Sequence, residues 1–182
     1  PMLAQNVGDY SRIKSDDWPL YVQPKLDGVR CLIQYEKHIN KSENRVVAYS
    51  RTGKEWKNID HILYDLVPFF EKHPNVILDG ELYNHDFRDD FESIISMVRK
   101  TKPTDEDRLE AAQYTEFHCY DIIDETKTFE ERNNFIIQNV PRNHCVKHVK
   151  TQFALNEDLA KAIHKYNLKA GYEGSILRLD GP

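Results

Sequence analysis

A chain of 182 residues is long enough to bury a core of its own, and 40% hydrophobic against 30% charged residues sets it apart from disordered chains. A formal net charge of −5 excludes a protein that coats nucleic acid with a generally basic surface, so any DNA contact must be local or come from another domain. No apolar run has the length of a bilayer span, and the amino terminus lacks a basic-then-apolar signal pattern, which points to cytosolic work. Cys31, Cys119 and Cys145 are odd in number and far apart, so they fit neither a disulfide framework nor a four-cysteine zinc site, and a reducing compartment is expected.

In chain order, the first predicted strand, Leu20 to Gln23, runs into Pro24, Lys25 and an Asp-Gly turn signal before a second strand, Val29 to Tyr35. A lysine at a strand end beside a turn can be held in a cleft, where desolvation and nearby cations release its proton and expose a nucleophilic amine. A third strand, Arg45 to Ser50, ends in the turn sequence Ser50-Arg51-Thr52-Gly53, and a helix is expected over Asp60 to Lys72. The strand Val76 to Tyr83 contains ILDGEL. Its Glu81, between Gly80 and Leu82, suits a ribose or metal partner, whereas Asp79 and Glu81 together also suit a strand end with carboxylates facing solvent.

A helix over Arg88 to Lys100 comes next; its basic end, Val98 to Lys102, fits the dipole-favoured end of a helix better than a phosphate contact. The strand Glu116 to Ile123, the helix Phe129 to Asn139 and the strand Cys145 to Thr151 follow. The helix Glu157 to Lys169 has the clearest ends, with Asn156 as N-cap, Gly171 as a left-handed stop, and Leu159, Ile163 and Tyr166 along one face. The last strand is Ser175 to Leu179. Strands adjacent in sequence with few crossover helices imply an α+β chain with mixed or antiparallel sheets. The histidines form no triplet at metal-binding spacing and read as surface or core residues.

Lys25 to Arg30, KLDGVR, resembles the KxDGxR motif of the covalent nucleotidyltransferases, the superfamily of DNA ligases, RNA ligases and mRNA capping enzymes. Four further segments follow in the family order: SRTG at Ser50, ILDGEL at Ile77, FHCYDII at Phe117 and EGSILR at Glu173. Each motif is weak alone; their joint occurrence across nearly the whole chain identifies it as similar to the adenylation domain of ATP-dependent DNA ligases, and the stretch Phe91 to Lys102 also resembles the helix of small viral and bacteriophage ligases. The resemblance implies an ATP-grasp-like fold, mostly antiparallel sheets flanked by helices, with the nucleotide cleft between them.

The same resemblance implies that Lys25 takes AMP from ATP and passes it to the 5′-phosphate of nicked duplex DNA, for strand sealing in replication, repair or recombination. Arg30 and Arg51 would hold phosphate or ribose oxygens, and Glu81 the ribose hydroxyls, directly or through a metal. Tyr120 would be the stacking wall for the purine, where relatives more often have Phe, and Gln23 would face the adenine edge. Glu173, with Asp27 and Glu81, would serve Mg²⁺, and Arg178, where Lys is common, would meet the nucleotide.

One departure matters: the family's last core motif, a pair of lysines on the next strand, and the oligonucleotide-binding-fold domain after it would follow Pro182. The polypeptide of residues 1–182 is therefore expected to bind nucleotide and to be weakened in self-adenylylation or sealing. The resemblance further implies a monomer in the cytoplasm of a bacterial or phage-infected cell, or in the nucleus or an organelle if eukaryotic. An RNA ligase, a GTP-using capping enzyme and a non-catalytic nucleotide-binding scaffold are the rival readings. The SRTG form favours a ligase over a capping enzyme.

Overall fold

The computed structural model describes residues 10–37 and 45–182. In order the elements are β1 (Leu20–Lys25), β2 (Val29–Glu36), β3 (Arg45–Tyr49), α1 (Asp60–Lys72), β4 (Leu78–Tyr83), α2 (Phe91–Val98), α3 (Asp105–Tyr114), β5 (Glu116–Ile122), α4 (Phe129–Asn139), β6 (Val146–His148), β7 (Gln152–Ala154), α5 (Glu157–Lys169) and β8 (Gly174–Arg178). They form a five-stranded sheet, β3-β2-β4-β5-β6, and a three-stranded sheet, β7-β1-β8. All pairings are antiparallel except β5 with β6, as the α+β expectation required. No helix among the described residues is long and apolar enough to cross a membrane.

Period-two alternation decides which side of each sheet faces which layer. In the larger sheet Cys31, Ile33, Leu78, Leu82, Phe117 and Cys119 point to one face, where they pack with Ile62, Leu66, Phe69 and Phe70 of α1 and Ile94 and Val98 of α2. Full burial of side chains such as Phe70 and Phe117, each about 2–3 kcal/mol of transfer free energy, anchors that face. The alternate residues Arg30, Asp79, Glu81, His118 and Tyr120 are thereby left for the other face. In the smaller sheet Leu20, Val22 and Ala154 pack on Ala160 and Ile163 of α5. Tyr21, Gln23 and Lys25 alternate with them and face away from that helix.

Helix α5 has the predicted ends: the Asn156 side chain accepts from the Leu159 amide at 3.0 Å, and Gly171 sits at φ 93°. Its inward face differs from the predicted one, because Leu159 and Tyr166 are 39% and 56% exposed while Ala160, Ile163 and Asn167 are buried. Small Ala160 lets the helix approach β1, and the Asn167 amide donates to Ser175 Oγ at 2.9 Å, so a polar contact to β8 outweighs the larger Leu159 and Tyr166 side chains in setting the helix rotation. Asn156→Ala is expected to cost about 1 kcal/mol in urea unfolding, with the exposed cap partner free to rehydrate.

Other boundaries shifted. The predicted helix at Arg88 starts late, with α2 capped by Asp90 at the Ser93 amide, and the basic run begins at its C-cap, Arg99. Lys100 there pairs with Asp107 at 2.6 Å, which favours the helix-end reading over a phosphate contact. Helix α3 was not foreseen: only Ala111 is buried on it, so it carries almost no apolar stripe, and its signal was the Thr104/Asp107 capping box. The strand expected over Cys145 to Thr151 is shorter, Val146–His148, and β7, Gln152–Ala154, was not foreseen: the chain leaves one sheet after His148 and enters the other at Gln152.

Candidate active site

The two sheets bring their polar faces together at the motif residues. On the smaller sheet Lys25 is in register with Gly174, so the Lys25 amine meets Glu173, Nζ to Oε1 3.2 Å. Both side chains are about half exposed, 47% and 48%, so Lys25 sits at an open mouth rather than in the enclosed cleft expected. Asp27, exposed in the next turn, has its carboxyl raised by partial loss of solvent and by repulsion from Glu173, against the attraction of Lys25. Glycine at position 28 is a steric requirement, since a Cβ there would lie 2.3 Å from the Leu82 carbonyl oxygen and 2.8 Å from Glu81 Cγ. The Asp-Gly turn thus presses the lysine-bearing strand end against the strand that carries Glu81.

Tyr120 is aimed by a break in the sheet. Asp79 pairs with Asp121 while the next residue, Gly80, pairs with Cys119, so Tyr120 is the extra residue of a β-bulge. Released from the ladder, its carbonyl accepts from Gln23 Nε2 at 3.0 Å, which ties the two sheets together. Its hydroxyl donates to Glu81 Oε2 at 3.2 Å. The bulge also turns Asp121 to the polar side, where it receives Arg132 at 2.8 Å and Arg178 at 3.2 Å.

Burial pushes the Glu81 carboxyl up from 4.5 to about 7, with the Tyr120 hydrogen bond pulling down, Asp79 pushing up and Arg30 pulling down. Ionised Glu81 is the natural acceptor for hydroxyl donors, and the fold keeps it close to its switching point near neutrality. Tyr120 loses its proton less readily than a free tyrosine, chiefly through burial, and therefore serves as a donor.

Three predicted binders are committed to partners within the protein. Arg30 reaches diagonally across the ladder to Asp79, Nε to Oδ1 3.0 Å and Nη2 to Oδ2 2.6 Å, a two-bond fork onto a carboxylate 4% exposed. Gln23, 1% exposed, spends its amide on Tyr120, on Thr151 Oγ1 at 2.9 Å and on Arg178 Nε at 3.1 Å rather than presenting it to a ligand. Arg178, between Gln23 and Asp121, also lies over the Tyr120 ring at 5.3 Å from its centroid. Arg51 stands apart on the exposed turn, where Gly53 takes φ 87° and Ser50 Oγ accepts from the Lys54 amide. Continuing the β2–β3 register past Leu32–Tyr49 would bring Arg51 level with Arg30, at the same end of the sheet.

The residues not foreseen are the partners, Asp79 as the seat of Arg30 and Asp121, Arg132 and Thr151 as braces. Asp79 had a signal, an acidic residue two places from Glu81 and hence on its face; the others depend on contacts between distant segments.

Glu81, Glu173 and Asp27 offer hard oxygen donors, although they do not gather into one tight ligand cluster in the described residues. The mutual repulsion of Asp27 and Glu173 is the electrostatic condition that a divalent cation relieves, so these residues fit Mg²⁺.

The model of the ATP dependent DNA ligase domain family matches residues 1–180. Two African swine fever virus DNA ligases, from the isolates Tick/South Africa/Pretoriuskop Pr4/1996 and Warthog/Namibia/Wart80/1980, are each 28% identical to the chain over 192 aligned residues. The alignment takes in 100% of this chain and 42% of each viral protein, so the chain spans less than half the length of these curated relatives. Among solved structures, a Chlorella virus DNA ligase-adenylate superposes with TM-score 0.68 at 20% identity, covering 100% of this chain and 60% of that one. The bacteriophage T7 ATP-dependent DNA ligase in complex with ATP gives TM-score 0.65 at 12% identity, covering 99% and 64%. An archaeal ATP-dependent RNA ligase gives 0.65 at 16%, covering 100% and 45%. At these identities the structural likenesses establish the nucleotidyltransferase-type ligase fold alone, and the match over residues 1–180 settles the rest: the chain belongs to the ATP-dependent DNA ligase domain family.

Proposed function

We propose that the chain is the nucleotidyltransferase core of an ATP-dependent DNA ligase, acting as a monomer on nicked duplex DNA in strand sealing for replication, repair or recombination. The observation that carries this reading is the Gln23–Tyr120 hydrogen bond, which ties the strand that bears Lys25, paired with Glu173, to the sheet that bears the Glu81–Tyr120 pair. A nucleophilic amine, a flat aromatic wall and a hydroxyl-binding carboxylate are the three requirements of transferring a nucleotide to the enzyme. The working compartment follows from the substrate: wherever DNA is replicated or repaired, in the cytoplasm of a bacterial or infected cell or in a nucleus or organelle.

In the mechanism, Lys25 Nζ attacks the α-phosphorus of ATP, a nitrogen–phosphorus bond forms as the bond to pyrophosphate breaks, and AMP stays on the lysine. The amine must first give up a proton, and Glu173 Oε1 at 3.2 Å is placed to hold it. Glu81 receives the ribose hydroxyls and Tyr120 offers its face to the purine. Arg30, fixed by Asp79, and Arg51 at the same sheet end supply positive potential toward the phosphates; Gln23 and Arg178 keep the Tyr120 bulge rigid. Asp27, Glu81 and Glu173 would hold Mg²⁺, which when bound neutralises charge gathering on the phosphates. The AMP then passes to the 5′-phosphate of the nick, and the 3′-hydroxyl displaces it.

Incubation of the chain, or of the longest natural form that contains it, with α-labelled ATP or GTP and then with nicked DNA or nicked RNA tests this. Covalent label from ATP and sealing of nicked DNA are expected. Label from GTP alone would indicate a capping enzyme, sealing of RNA alone an RNA ligase, and no covalent label a scaffold.

The bulge makes a sharper prediction. Carboxyl NMR of the ligand-free chain should show Glu81 titrating near pH 7, and Tyr120→Phe, which deletes the hydrogen bond holding it down, should move that midpoint higher. Because the folded-state value is raised, Glu81 stabilises the ligand-free fold fully below about 4.5 and loses that contribution as pH rises through about 7. A midpoint unmoved in Tyr120→Phe would show that the hydroxyl does not govern the carboxylate.

A further inference from the structure

Asp65 of α1, His144 and Cys145 come together on the helix side of the larger sheet, their candidate ligand atoms all within 4.8 Å of one another. Cys145 Sγ donates to Asp65 Oδ2 at 3.1 Å, across eighty positions of sequence, and more weakly to Asn143 Oδ1 at 3.4 Å. The turn holding the thiol is preformed: Asn143 Oδ1 also accepts from the Cys145 amide at 3.0 Å and the Val146 amide at 2.9 Å. Cys145 is 1% exposed, Asp65 half-buried and His144 exposed, so the cluster has a buried floor and one side open to solvent. None of these residues takes part in the adenylation chemistry, which lies on the opposite face of the sheet.

We infer that Asp65, His144 and Cys145 form a binding site for a borderline-soft divalent cation of the zinc class, three protein ligands with the fourth position open to water. Thiolate, imidazole and carboxylate are the donor types that zinc takes, at roughly 2.3, 2.0 and 2.1 Å, and such distances need ligand atoms about 3.5 Å apart. The Asp65–Cys145 pair is already at that spacing, and His144, exposed on its turn, needs only a side-chain rotation to close it. A hard cation such as Mg²⁺ would be disfavoured by the sulfur. The site would clamp α1 to the turn entering β6, the edge strand that pairs only with β5 among the described residues.

Binding exchanges the thiol proton for the metal. The proton leaves to solvent, and Asp65 changes from acceptor of the S–H to ligand. Burial, the hydrogen bond to Asp65 and the charges of Asp65 and Glu116 push the Cys145 thiol up to about 12, so the metal competes with a tightly held proton. The titratable groups facing the cluster are His61 and Asp65 of α1, Glu116 of β5 and His144.

Cobalt(II) is the probe, titrated into the reduced, metal-stripped chain. The expected result is saturable one-to-one binding with a near-ultraviolet thiolate-to-cobalt band. Zinc should displace the cobalt, and excess zinc should raise the melting temperature. Among the described residues Cys145 is the cysteine that lies in a cluster of candidate ligand groups, so the thiolate band should vanish in Cys145→Ser. His144→Ala, a surface change that leaves folding intact, should weaken binding at least tenfold while far-ultraviolet circular dichroism is unchanged. Absence of saturable binding, or a thiolate band that survives both substitutions, would overturn the assignment. Labelling of Lys25 by ATP is read separately, so failure of either result does not decide the other.

Discussion

Arg30→Ala is expected to lower the unfolding free energy of the chain by roughly 3–5 kcal/mol, the penalty of leaving a buried carboxylate without its cation. The carboxylate is Asp79, 4% exposed, which receives both nitrogens of the Arg30 fork at 3.0 and 2.6 Å. Leu32 is in register with Asp79, so the pair runs diagonally over the face that carries Glu81 and Tyr120, and its loss removes a cation that holds the Glu81 proton affinity down. Arg30→Lys keeps the charge but loses the planar fork and should fall between wild type and alanine. Joint replacement, Arg30→Met with Asp79→Leu, should recover most of the stability while lowering nucleotide affinity. Urea unfolding of the four proteins is the check; an alanine variant within 1 kcal/mol of wild type would mean that Asp79 is satisfied without Arg30.

Lys25→Ala should have the opposite profile, near-wild-type stability with self-adenylylation reduced on the order of 10⁴-fold or more, since a nucleophile has no substitute. The Lys25–Glu173 pair, half exposed on both sides, is worth under about 1 kcal/mol once solvent screening is counted. Lys25→Arg retains the ion pair and should be as inactive as alanine. Stability and activity would thus separate the two basic residues of one KxDGxR motif, Arg30 building the site and Lys25 reacting.

The class of fold and the pairing of the motif residues were legible in the sequence because both follow from short-range patterns. Helices α1, α4 and α5 have the predicted limits, and of the motif residues Lys25 pairs with Glu173 while Tyr120 pairs with Glu81. What was not legible depends on long-range contact. Gln23 reads as a ligand-facing amide until Thr151, Tyr120 and Arg178 close around it from three other segments. The register slip that aims Tyr120 is set by pairing with Asp79 and Gly80, where a Cβ at Gly80 would come within 2.3 Å of the His118 carbonyl oxygen. The Asp65–His144–Cys145 cluster is hidden for the same reason, since no spacing rule joins a helix residue to a turn eighty positions later.

The most direct measurement is to map where AMP is attached after incubation with α-labelled ATP and Mg²⁺, by mass spectrometry of peptides kept at neutral to alkaline pH, because phosphoramidate bonds are acid-labile. AMP on Lys25 Nζ, acid-labile and absent from Lys25→Arg, is the expected result. AMP on another residue, or tight ATP binding by the longest natural form of the chain with no covalent adduct at all, would contradict a nucleophilic role for Lys25.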